Sequence, residues 1–108
     1  MSGLVNQASL NSIGLNQARL TGTVVQLSVL RYTPAGVAVM NIELDHHSQV
    51  LQASSERAIM FTIDATALGE VALKVAELDL GKQYTFDGFW APAHHRTKRM
   101  GFHILQVR

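Results

Sequence analysis

The chain has 108 residues, 47% of them hydrophobic and 16% charged, with a formal net charge of +1. A chain of that length forms one domain around a single modest core, and no apolar run approaches the ~20 residues that a bilayer crossing needs. There is no cysteine, which excludes disulfides and thiolate metal sites. The N-terminus has neither the basic start nor the apolar block of a signal peptide, so the expected compartment is the cytoplasm.

Residues 1–15 are rich in Asn, Gln, Ser and Gly without a sustained apolar period, and predict a flexible N-terminal tail ahead of a domain over residues 16–108. The stretch Leu20–Ser48 then reads as two long strands around a reversal at Arg31–Gly36. Pro34 presets φ and Gly36 can take φ > 0, as such a reversal requires. In the first run Leu20, Gly22 and Val24 share a face. Val25, Leu27 and Val29 then take it over, a slip that predicts a bulge in a sharply coiled strand. In the second run Met40, Ile42 and Leu44 oppose Asn41, Glu43 and Asp45, the period of a half-buried strand.

Gln49–Glu56 is polar and predicts a loop, followed by a strand over Arg57–Asp64 with Ile59, Phe61 and Ile63 on one face. Leu68, Val71 or Ala72, Val75 and Leu78 recur at helical spacing, with Thr66 as N-cap and Gly81 as the residue that ends the helix. Alternation resumes over Gln83–Trp90, and Phe102–Val107 gives a last short strand. Three strands, a helix and two strands give an all-β fold, the five-stranded Greek-key OB-fold barrel with one helix between strands 3 and 4. An α+β sandwich with the same order of elements is the competing architecture.

The charges are unevenly spread. No acid follows Asp87, while Arg96, Lys98, Arg99 and Arg108 lie beyond Trp90 with His94 and His95 beside them. Such a run between two strands of a barrel points to an anion-binding surface, against the plainer reading of a solubilising loop. Single-strand nucleic-acid binders need cations along a backbone and planar side chains on which bases stack. The phosphate candidates are Arg31, Lys82, Arg96, Lys98 and Arg99, and the stacking candidates Tyr32, Trp90 and Phe102, with Phe61, Tyr84 and Phe86 assigned to the core. The pairs His46-His47 and His94-His95 point to opposite faces of a strand, which argues against a metal site. No nucleophile motif, Walker loop or dinucleotide fingerprint occurs, so a non-enzyme without cofactors is expected.

Three segments carry a resemblance: Leu20-Thr21-Gly22-Thr23-Val24, Arg31–Val37 and Ile42-Glu43-Leu44-Asp45-His46-His47-Ser48. The first two are similar to the start of bacterial single-stranded-DNA-binding proteins. The third resembles a narrower family, primosomal replication protein N, which shows Leu, an acid, His, any residue and Ser at this point. Gly81, Gly88-Phe89, Met100, His103 and Gln106 extend the match. The resemblance implies a homodimer of OB barrels that binds single-stranded DNA and helps reload the replicative helicase at stalled forks. Its implied partners are the restart helicase and another primosomal protein. Tyr32 stands where relatives often have a basic residue, so that stacking takes the place of a phosphate contact. Ile59 and Met60 stand where some members have a stacking aromatic. With Glu43 and Asp45 outward, the DNA is expected on the loops more than on the open strand face. An adaptor barrel that touches nucleic acid weakly and an RNA-binding barrel are the alternative readings.

Overall fold

The computed structural model describes residues 13–108; residues 1–12 of the expected tail lie outside the described residues. The strands are β1 (Ala18–Leu27), β2 (Arg31–Tyr32), β3 (Ala38–Gln52), β4 (Ser55–Leu68), β5 (Gln83–Pro92) and β6 (Met100–Val107), with one helix, α1 (Glu70–Ala76), between β4 and β5. The sheet order is β1-β5-β6-β4-β3-β2, and β1 also pairs with β3, which closes five strands into the expected Greek-key barrel. The two-residue β2 is an addition at the edge of β3.

Closure depends on β1 changing partners along its length. Ala18–Thr23 run antiparallel to β5, and Thr23–Leu27 run antiparallel to β3, with a register shift between Val24 and Gln26. The expected bulge is there, but it does not hand the inner face to Val25 and Val29. Leu20 and Val24 are buried and Leu27 packs against the core, whereas Val25 and Val29 are exposed. The extra residue at the bulge turns Val25 outward, and β1 ends before Val29.

The core gathers Leu20, Val24, Met40, Ile42, Leu44, Phe86, Phe102 and Ile104, with Ala72 and Val75 of α1 packed against them. Phe102 is fully buried, so its ring is a core element and not a stacking platform for bases. Phe61 errs the other way. It follows the inward parity of β4 but lies beyond the barrel, where it is 38% exposed.

The segment predicted as a loop, Gln49–Glu56, is instead a hairpin. β3 and β4 stay in register from Val39↔Leu68 out to Gln52↔Ser55, and the ribbon beyond the barrel reaches about 23 Å. Its two-residue turn is Ala53-Ser54, both at positive φ (53° and 64°). That backbone normally selects Asn and Gly, so the sequence carried no turn signal for it. The helix is also shorter than its apolar spacing suggested. Thr66 remains in β4, where its hydroxyl bonds Asn41, and Gly69 precedes the first helical turn. Gly81, at φ +81°, does not cap the helix; its N–H donates to Val24 O at 2.7 Å and starts the turn into β5.

β5 lies tight against β6 at Gly88, beside a second register shift. A Cβ there would lie 2.0 Å from His103 O and 2.9 Å from Phe102 Cζ. Gly88→Ala is therefore expected to cost about 3 kcal/mol, the upper end of overpacking penalties, because the obstacle is backbone. Urea unfolding of the variant checks this, and an unchanged midpoint would contradict the packing described.

Candidate nucleic-acid interface

The basic loop spans residues 93–99 and joins β5 to β6. Its neck is closed by Ala93 N–H donating to Arg99 O at 2.8 Å. A turn sits at its tip, where Thr97 N–H donates to His94 O at 3.2 Å and Thr97 Oγ1 accepts the Arg99 N–H at 3.0 Å. His94, His95, Arg96, Lys98 and Arg99 are all exposed on it. Their electrostatics differ, however. The Arg99 guanidinium is held by Asp64 of β4, Nη2 to Oδ2 at 2.7 Å, so that charge is already partnered. Arg96 donates only to the His95 ring, Nε to Nε2 at 3.3 Å. Among the described residues neither Arg96 nor Lys98 has a carboxylate within ion-pair distance.

The remaining predicted residues fall in separate places. Arg31 and Tyr32 form β2 opposite Val39 and Ala38, and the Tyr32 ring is 60% exposed. The reversal beyond them is held by Thr33 N–H donating to Val37 O and Gly36 N–H to Thr33 O, with Gly36 at φ +86° as expected. Lys82 lies at the opposite end of β5 from the basic loop, with its ammonium 5.5 Å from the Tyr84 ring centroid. Trp90 is half-buried, edge-on to Phe102 at 5.2 Å. Its backbone is clasped by Asn16, whose amide donates to Trp90 O at 2.7 Å and accepts the Trp90 N–H at 3.0 Å. Of the predicted set, the fold brings together His94, His95, Arg96, Lys98 and Arg99. Arg31 and Tyr32 lie on β2, Lys82 at the far end of β5 and Trp90 half-buried within β5, while Phe102 is removed by burial.

Two features were not anticipated. The first is the β3–β4 ribbon. At its root His46 donates from Nδ1 to Thr21 O at 2.7 Å and accepts the Ser48 hydroxyl at Nε2, 2.8 Å, while its ring stacks on Phe61 at 4.7 Å. The same-face spacing His-x-Ser was the only signal for this arrangement. The second is the outer face of β1, β5 and β6, where Asp87 bonds both Arg19 (2.7 Å) and Arg108 (2.6 Å). Those arginines are thereby committed to the fold. Among the described residues no three His, Asp or Glu side chains come together as a metal site, and no helix is long and apolar enough to cross a membrane.

The comparisons with known proteins agree with this fold. The family described as "another single-strand binding protein family" matches residues 16–106. The Replication restart protein PriB of Bordetella pertussis is 35% identical over 94 residues, covering 87% of this chain and 88% of that protein. The one from Nitrosomonas europaea is 32% identical over 98 residues, 91% of each chain. The solved structure of PriB from Ralstonia solanacearum superposes with a TM-score of 0.81 at 33% identity, covering 88% of this chain and 97% of that one.

The Arg19 hydrogen bond, reinforced by Arg108, holds the Asp87 carboxyl below its usual range against the opposing effect of desolvation. A depressed carboxyl stabilises the fold above its unfolded value of about 3.9 and loses that contribution as pH falls through the folded value. Asp87→Asn should therefore be less stable than the parent at neutral pH, with the gap closing in acid. Urea unfolding at neutral pH and near pH 3 measures it; a gap that persists in acid would refute it.

Proposed function

The chain belongs to the single-strand binding protein family, among the replication restart proteins PriB, and on that premise we propose that it binds single-stranded DNA in replication restart. In this reading it helps reload the replicative helicase at stalled forks, together with the restart helicase and another primosomal protein. The observation that carries the binding proposal is the 93–99 loop, where Arg96 and Lys98 are exposed and unpaired while Arg99 is anchored to the barrel. Cations fixed on a short, hydrogen-bonded loop can track a phosphate backbone without the entropy cost of ordering it on contact. Tyr32, with its ring open beside Arg31, supplies a face for a base, worth roughly 1–3 kcal/mol.

The working form is proposed to be a homodimer. On its β3 side, β1 has no strand partner over residues 18–22 among the described residues, since that pairing begins at Thr23. A second copy can pair there, with the Thr21 carbonyl already taken by His46. Sedimentation at micromolar concentration should give twice the chain mass; a monomer would reject the dimer.

Replacing Arg96 and Lys98 by alanine should weaken binding to oligonucleotides of any sequence. It should also flatten the log–log salt dependence by about 1.4, from two contacts at ~0.7 each. Adding Arg99→Ala should bring less than a third such step, because its charge already faces Asp64. Tyr32→Ala should weaken binding more than Tyr84→Ala, since the Tyr84 side chain is half-buried and its hydroxyl accepts the Asp79 N–H at 3.0 Å. Salt titrations of affinity by fluorescence anisotropy read all of these. An unchanged slope in the folded double variant would move the DNA elsewhere and favour an adaptor role.

A further inference from the structure

A cleft of about 280 Å³ lies on the outward side of β3 and β4, lined also by the segment after β1 and by the 93–99 loop. Asn41 and Glu43 of β3, facing Thr66 and Asp64 of β4, line it, with Ser28 on one side and Arg99 on the other. The polar row on β3 is satisfied at both ends. Asn41 Oδ1 accepts from Thr66 Oγ1 at 3.2 Å, and the Asp45 carboxylate accepts from Thr62. Glu43 differs. Its register partner is Asp64, a like charge directly opposite, and such pairs destabilise a ladder. Arg99 binds Asp64 and so offsets only that half of the repulsion. Among the described residues the Glu43 carboxylate receives no hydrogen bond and no cation.

An ionised carboxylate presents two acceptor oxygens side by side and donates nothing. Among the four DNA bases, guanine alone offers two adjacent N–H donors, N1–H and N2–H, along its Watson–Crick edge, the edge that unstacked single-strand bases expose. Thymine sets carbonyls on both sides of its one N–H, and adenine and cytosine set a ring acceptor beside their amine. We infer that this cleft takes one guanine base of a bound single strand, its Watson–Crick edge on Glu43. Arg99, held in place by Asp64, supplies donors towards the guanine acceptors and a planar face at the rim. The inference deepens the single-strand-binding reading and rests on it. It also gives the acidic row a role that a phosphate-tracking surface lacks: the negative charge meets a base edge, while Arg96 and Lys98 on the loop take the phosphates.

The test uses thymidine oligomers of about 15 nucleotides with the central position as thymine, guanine or inosine, which lacks the N2 amine. Each is titrated by fluorescence anisotropy against the parent protein and Glu43→Gln. A single guanine avoids multistranded guanine structures. The parent should bind the guanine oligomer about tenfold more tightly than the all-thymine one, and inosine should lose most of that gain. Glu43→Gln should abolish the preference and leave all-thymine affinity within about twofold, since its amide N–H₂ opposes the guanine donors. Should that variant not fold, the guanine-to-inosine comparison on the parent protein decides alone. Equal affinities for guanine and thymine, with tight all-thymine binding, would overturn the cleft and leave the broader reading standing. A uniform gain for every oligomer in Glu43→Gln would make Glu43 merely repulsive, which also overturns it. If no oligomer binds at all, the broader reading fails and the cleft fails with it.

Discussion

The bend in β1 at Val24–Gln26 is the constraint from which the rest of the molecule follows. A strand that twists without a break would pair along one side and leave an open sheet. The inserted residue sharpens the local twist, so the first half of β1 lies on β5 and the second half on β3. The turn before β5 is tied to that same point, with Val24 N–H donating to Lys82 O at 3.0 Å and Gly81 N–H to Val24 O at 2.7 Å. Beyond the bend the chain delivers Ser28 against β3, where it receives the Asn41 N–H at its side-chain oxygen and gives its own N–H to Asn41 O. Closure of the barrel and the wall of the cleft are thus one event. The bulge places both.

Strand length then decides what extends from the barrel. β3 and β4 outrun their neighbours, because β1 leaves β3 at Asp45 and β6 meets β4 only from Ala65. What remains is a two-stranded ribbon, an element of marginal stability by itself in water. Its root is fastened by His46, which ties the ribbon to β1 through Thr21 and lies flat on Phe61. Farther out the side chains face solvent, with Leu51 and Met60 strongly exposed. The ribbon is therefore fastened to the barrel by side chains only where it leaves the core, and beyond that point by its own ladder.

Legibility in the sequence followed the range of the forces involved. Alternation is a local consequence of the pleat, so the inward faces of β3 and β5 could be read directly, and the order of elements with them. The hairpin turn could not, because Ala53 and Ser54 adopt positive φ without the residues that normally announce it. Thr66 has the chemistry of an N-cap, yet pairing of β4 with β6 at this point holds it in a strand. Phe102 and Phe61 exchanged roles for one reason: parity tells which way a side chain points, but not whether the barrel reaches that far along the strand. The candidate site was legible as a composition, a basic loop between two strands. The partner that fixes Arg99 was not, since Asp64 lies 35 positions away in the chain.

That pairing bears on how a chain with a net charge of only +1 can favour a polyanion. Charges farther apart than about 10 Å are largely screened at moderate salt, so local arrangement outweighs the total. On the face formed by β1, β5 and β6, one carboxylate, Asp87, occupies two arginines. On the opposite side Asp64 occupies Arg99. These pairs cancel positive charge where it serves the fold and leave Arg96 and Lys98 uncancelled at the loop. The acids that remain on the strand face, Glu43 and Asp45, lie beside this positive spot and not within it. On the proposed reading a phosphate backbone is drawn to the loop and kept off the strands, and only an uncharged, donor-bearing group gains by moving from one to the other.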